Sequence, residues 1–260
     1  MPARREVASY FRESWSISQR RSCQLATVAR SSVRYTSQRE EDPKLLARLL
    51  ELAALYPRYG YLMLTKKLRR EGFRVNKKRV RRMYLREGLK LRSKPRRKLI
   101  AAAPREKSVT PDAPNRRWSM DFMRDALWNG RPFRTFNVID DGSREVPRIE
   151  VDFSLPAARV VRVLDELIEE RGCPEEIVVD NGPEFSSKEL DAWAEKNGVK
   201  LRFIRPGKPV ENCFIESFNG TFRKDCLDAH WFEDLAHARR VIESWRLDYN
   251  HNRPHSGVGD

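Results

Sequence analysis

The chain has 260 residues with 52 Lys+Arg against 37 Asp+Glu, a formal net charge of +15. Six Trp, 7 Tyr and 12 Phe within a 40% hydrophobic composition exclude a disordered polycation. The absence of any apolar run of about 18 residues excludes a spanning helix. The first 25 residues lack an apolar signal-peptide core, and Cys23, Cys173, Cys213 and Cys226 form neither a CxxC pair nor a disulfide framework. A reduced, cytoplasmic protein is expected.

The charge is unevenly distributed. Residues 1–110 carry 30 Lys+Arg and 9 Asp+Glu (+21), whereas residues 111–260 carry 22 and 28 (−6). A soluble surface usually mixes both signs, so a half this cationic points to a polyanionic partner, and nucleic acid is the commonest one.

In chain order, residues 1–40 contain a short helix from about Ser18 to Leu25, a tight Ala-Thr-Val turn and a second helix from about Arg30. These are helix-turn-helix proportions, although Thr27 stands where such a turn often uses Gly. Residues 41–90 form a stronger helical block. Asp42 is the expected N-cap of a helix whose apolar residues Leu45, Leu46, Leu49, Leu52, Ala53 and Tyr56 recur at helical spacing. Pro57-Arg58-Tyr59-Gly60 breaks it. Tyr61–Arg70 is a second helix, closed by Glu71-Gly72. Asn76 then caps a third, whose apolar seam is Val80, Met83 and Tyr84. Lys77, Lys78, Arg79, Arg81, Arg82 and Arg86 cover its remainder, a pattern suited to a groove or a phosphate backbone.

Residues 91–114 read as a basic, Ala- and Pro-containing linker. From 115 to 260 the texture becomes α/β. Strands are expected around Trp118–Met123, Phe133–Asp140, Arg148–Phe153, Glu176–Asp180 and Leu201–Ile204. Helices are expected at Pro156–Arg171, Lys188–Asn197 and through the remainder. Three strands followed by alternating helix and strand imply a layered domain with an antiparallel hairpin on one side.

Three acids in this half have a chemical use together. Asp121 lies in an aromatic strand, Asp180 ends Val-Val-Asp before Asn-Gly-Pro, and Glu216 lies on a helix with Phe214, Phe218 and Phe222. Each alone is more simply a turn former or a solvated acid. Converging, three carboxylates can bind two Mg²⁺ or Mn²⁺ ions, which activate a water or 3′-hydroxyl for in-line phosphoryl displacement.

Asp121 and Asp180 are separated by 58 residues, and Asp180 and Glu216 by 35. This resembles the D,D,35,E pattern of retroviral-type integrases and bacterial transposases. VVDNGPEF, RPGKPVENCFIESFNGTFRKDCL and YNHNRPHSGVG resemble the orfB transposase of the IS-three family of insertion sequences. RYGYLMLTKKLRREGFRVNKKRVRRMY resembles that family's helix-turn-helix region. The resemblance implies an RNase H-like catalytic core, a mixed five-stranded sheet with flanking helices, preceded by a basic all-α helix-turn-helix region. It implies Asp121, Asp180 and Glu216 as catalytic metal ligands for two Mg²⁺ (or Mn²⁺) ions. It also implies Arg223, seven residues after the glutamate, as a contact to the DNA backbone, with Lys224 beside it. Asn250, Arg253 and His255 are expected along the DNA path.

DNA (element ends and target), the product of the upstream reading frame and further copies of the chain are the implied partners, in a nucleoid-associated setting without a membrane. The chain reads as C-terminally short relative to that family and without its leading zipper segment, so a catalytically incompetent DNA-binding remnant is the alternative expectation. Asp125, Asp140, Asp141, Glu184 and Glu211 are left outside the metal set. His230, His237, His251, His255 and Cys226 lack workable zinc spacing, and Cys213 and Cys226 read as buried small residues.

Overall fold

A computed structural model describes residues 2–36, 42–92, 111–182, 184–205 and 212–254. It divides into two compact units, residues 1–47 and 48–260.

The first unit holds α1 (Pro2–Trp15), α2 (Gln19–Leu25) and α3 (Arg30–Arg34). Ser18 caps α2 by accepting from the Arg21 amide, and Thr27 takes a φ of +49° in the following turn. The turn thus obtains from a threonine the left-handed conformation that glycine reaches without strain. Among the described residues of α1–α3 and their connecting turns, the buried side chains are the small ones of Ala8, Ser22, Cys23 and Ala26. α1 was not among the expected helices.

Helix α4 (Pro43–Leu55) crosses the division between the units. Asp42 Oδ1 accepts from the amides of Lys44 and Leu45, as an N-cap does. Leu49 and Leu52 then lie fully buried. α5 (Tyr61–Arg70) and α6 (Lys77–Arg86) pack together through Leu64, Leu68, Val80, Met83 and Tyr84. The side chain of Asn76 caps α6 by accepting from the Lys78 amide.

The remainder of the second unit is a five-stranded sheet ordered β3-β2-β1-β4-β5. Its strands are β1 (Arg117–Ala126), β2 (Pro132–Asp140), β3 (Arg148–Asp152), β4 (Glu176–Val179) and β5 (Lys200–Phe203). β1, β2 and β3 pair antiparallel, while β1–β4 and β4–β5 are parallel. Both faces are covered, so side-chain alternation along a strand feeds two different cores. Trp118 and Met120 meet α7 (Ala157–Arg171) and α8 (Lys188–Asn197) on one face. Phe133, Ile139 and Ile149 meet α9 (Cys213–Asp225) and α10 (Leu235–Asn252) on the other. Each large apolar side chain so buried contributes roughly 1.5–3 kcal/mol.

The expected strands and helices of this half all form, with ends shifted by up to three residues. β4 stops at Val179, leaving Asp180 just beyond it. Residues 93–110 of the expected linker lie outside the described residues. Residues 112–115 run against the turn after β2, where a Cβ on Gly142 would stand 2.3 Å from the Ala113 carbonyl oxygen.

Candidate active site

The register of the parallel pair positions two of the three acids. Ser119 of β1 stands opposite Val178 of β4. Two residues further along each strand, Asp121 and Asp180 come level. Asp121 shares the strand face of Ser119, the face on which α9 packs. Glu216 lies in the first turn of α9 and is exposed.

The surroundings of Asp121 are unusual for a carboxylate. Burial, with the neighbouring negative charges of Asp180 and Glu216, pushes its pKa up to about 6 against the opposing pull of two hydrogen bonds. Those bonds come from the Phe122 amide to Oδ1 and from Asn219 Nδ2 to Oδ2, each at 2.7 Å. Asn219 Oδ1 in turn accepts from Asn137 Nδ2 at 2.8 Å. A chain of two amides thus runs from β2 through α9 to Asp121. Asn219 was not among the expected site residues, although it stands three residues after Glu216 and hence near the same helix face. Asp180 Oδ1 accepts from the Gly182 amide at 2.9 Å.

Among the described residues, none of Asp121, Asp180 and Glu216 forms an ion pair. The acids left outside this set have other partners. Asp125 pairs with Arg223 at 2.9 Å and Glu184 with Arg134 at 2.6 Å. Asp141, almost wholly buried, holds Arg117 at 2.6 Å and accepts from Ser119 Oγ. Asp140 accepts from the amides of Asn115, Gly142 and Ser143. Glu211 and His255 lie outside the described residues.

The all-oxygen donor set suits a hard divalent cation, which would relieve the repulsion that Asp180 and Glu216 add to the burial of Asp121. Among the described residues, no three His, Cys, Asp or Glu side chains stand close enough together to hold a metal ion as they are.

The expected DNA-contacting residues fall into two groups. Lys77, Lys78, Arg81, Arg82 and Arg86 are exposed on α6, with Arg79 half-buried. Arg86 pairs with Glu87, and Arg81 lies over the Tyr61 ring. Lys224 is exposed. Arg223 and Arg253 are already engaged. Arg223 bonds Asp125 and the Arg124 carbonyl oxygen. Arg253 pairs with Asp225 at 2.6 Å and lies over the rings of Tyr59 and Tyr249. Asn250 bonds both the amide and the carbonyl of Val146.

Residues 111–209 and 197–260 match the Integrase core domain, and residues 40–98 match the HTH-like domain. The uncharacterized 31.7 kDa protein of insertion element IS407 from Burkholderia multivorans is 45% identical over 251 residues, 96% of this chain and 90% of that protein. The chain belongs to the transposase family of bacterial insertion elements. A second member, the uncharacterized 39.2 kDa protein of insertion element IS476 from Xanthomonas euvesicatoria, is 42% identical over 98% of this chain and 74% of its own length.

The fold of this transposase also matches that of the simian T-cell lymphotropic virus intasome, solved in complex with PP2A regulatory subunit B56 gamma. The TM-score is 0.53 at 17% identity, covering 82% of this chain and 72% of that one. The RNase H-like sheet and the helical region before it therefore agree with the expectation from sequence. No helix among the described residues is long and apolar enough to cross a membrane.

Proposed function

We propose that this transposase cleaves the 3′ ends of its insertion element and joins them to target DNA, with Asp121, Asp180 and Glu216 as ligands of Mg²⁺ or Mn²⁺. One observation carries the reading. Nearby Asp125, Asp141 and Glu184 each pair with an arginine, whereas these three make no ion pair among the described residues, and burial together with the charges of Asp180 and Glu216 raises the pKa of Asp121. When bound, two ions supply activation of the attacking oxygen and charge neutralisation at the leaving one.

The chain's own residues supply position. Asn219 and the Phe122 amide fix both oxygens of Asp121, and the Gly182 amide fixes one oxygen of Asp180. Preorganisation of this kind lowers the reorganisation needed at the reacting phosphate. The cations of α6 hold the DNA backbone by counterion release, a sequence-independent grip. Lys224 adds an exposed cation in the last turn of α9, and Arg223 and Arg253 join it after exchanging their carboxylate partners for phosphate.

Two copies bridging two element ends, and the product of an upstream reading frame, are the proposed partners in a bacterial, nucleoid-associated setting. The test is end cleavage and strand transfer on labelled element ends with Mg²⁺. Asp180→Asn is expected to lower both by about 100-fold or more, the scale on which a preorganised electrostatic group contributes. Retention of full activity by that variant overturns the assignment.

A further inference from the structure

We propose that Arg134 and Glu184 form a positioning pair that holds the loop after β4 so that Asp180 faces Asp121. The inference rests on the reading of Asp180 as a metal ligand. Neither residue is part of the acid set, and they approach from different directions: Arg134 from β2, and Glu184 from the loop four residues beyond Asp180.

Arg134 Nη1 meets Glu184 Oε1 at 2.6 Å, with both side chains only 22% exposed. The guanidinium also lies over the Phe122 ring, 4.6 Å from its centroid. Phe122 immediately follows Asp121 and packs on Phe136 and on Phe185, itself buried and next to Glu184. One cation therefore ties β1, β2 and the loop together. Arg134 Nε is buried and has no hydrogen-bond partner among the described residues, so Glu184 is the charge that compensates this guanidinium. A sparsely solvated pair of this kind fixes geometry more firmly than a surface one.

The loop transmits that restraint to Asp180. The amides of Phe185 and Ser186 donate to the Gly182 carbonyl at 3.0 and 3.1 Å. The Gly182 amide donates to Asp180 Oδ1 at 2.9 Å. A Cβ on Gly182 would stand 2.9 Å from Asp180 Oδ1 and 3.4 Å from Glu184 Oε2. Both carboxylates thus close over the same side of this glycine, so a larger residue there would displace the Asp180 carboxylate and press on that of Glu184. Burial works against the charged form of Glu184, yet the Arg134 hydrogen bond, the Glu184 backbone amide and the charges of Arg134 and Arg124 together hold the carboxyl below its usual pKa. The tie therefore persists at neutral pH.

The alternative use of a carboxylate here is direct metal ligation by Glu184, and the two uses give opposite results in one variant. The experiment titrates Mn²⁺ into the full chain and follows free Mn²⁺ by electron paramagnetic resonance. Amide hydrogen exchange is measured in the metal-free protein, and the thermal midpoint serves as a folding control. Glu184→Gln and Arg134→Met are each expected to weaken Mn²⁺ about 10-fold, the lower end for partners that orient a ligand. Exchange at Phe185 and Ser186 should quicken while β1 and β2 stay protected. The double exchange Arg134→Glu/Glu184→Arg is expected to recover part of the affinity.

Tighter Mn²⁺ binding by Arg134→Met overturns the proposal in favour of Glu184 as a ligand. Unchanged affinity or unchanged loop exchange in Glu184→Gln overturns it as well. Full Mn²⁺ affinity in Asp180→Asn overturns the ligand assignment beneath it, and that failure is recognisable because it appears in a different variant.

Discussion

The cations of α6 and the arginines around the sheet carry the same charge and have opposite circumstances. Among the described residues, Lys77, Lys78, Arg79 and Arg82 make no ion pair. Around the sheet, Arg117, Arg134, Arg148, Arg159, Arg171, Arg223, Arg239 and Arg253 each hold a carboxylate. The helical region presents its charge outward, whereas the sheet region neutralises most of its own internally. Against that background, Asp121, Asp180 and Glu216 make no ion pair among the described residues, and the +15 of the whole chain conceals this difference between its two regions.

Deleting one cation from each region separates the two roles most strongly. Arg117→Met strands the buried Asp141 and is expected to destabilise the fold by about 3–5 kcal/mol, read by urea denaturation. Lys77→Met is expected to change stability by no more than about 0.5 kcal/mol. Equal effects would mean that the two sets of cations do not differ in role.

The next effect has the opposite sign. Asp121 in the metal-free protein has a pKa of about 6 against an ordinary value of 3.8. The folded state therefore binds the extra proton between those values, and stability is lost as pH rises through that window. Asp121→Asn is expected to stabilise the metal-free protein at pH 7 by up to about 3 kcal/mol while abolishing strand transfer. The stabilisation should vanish at about pH 3.5, where the acid is protonated in both states. By the same linkage, Mn²⁺ affinity should rise about tenfold per pH unit up to pH ~6 and then level off. A flat profile between these limits would contradict the buried, repelled environment of Asp121.

A smaller effect tests the grip alone. Replacing Lys77, Lys78, Arg81 and Arg82 by Gln should reduce the slope of log affinity against log salt by about 0.9 for each phosphate no longer neutralised. Mn²⁺ affinity should not change. A preserved salt slope would move the grip elsewhere, with Lys224 the next residue to replace.

Local signals are legible in the sequence. Asp42 and Asn76 act at helix N-termini because a short polar side chain reaches amides two or three residues on, and this needs only neighbouring residues. The five strands are visible through their apolar runs, and the three acids through their spacing. What stays hidden depends on residues distant in the chain. Arg223 with Asp125, Asn219 with Asp121, and Arg134 with Glu184 join residues 98, 98 and 50 positions apart. Local spacing does not encode which arginine meets which acid once the sheet has formed. Helix α1 is missing from the expected elements although Val7, Ala8, Phe11 and Trp15 recur at helical spacing; of these only Ala8 is buried.

The claim that grip and chemistry reside in different residues is tested most directly by Asp121→Asn, Asp180→Asn and Glu216→Gln in two assays on labelled element ends. One measures DNA affinity against salt in the absence of divalent metal, and the other measures Mg²⁺-dependent strand transfer. Affinity and salt slope are expected to stay unchanged in all three variants, with transfer reduced about 100-fold or more in each. Wild-type transfer by any one of them would contradict the claim that these three acids act as a single catalytic set.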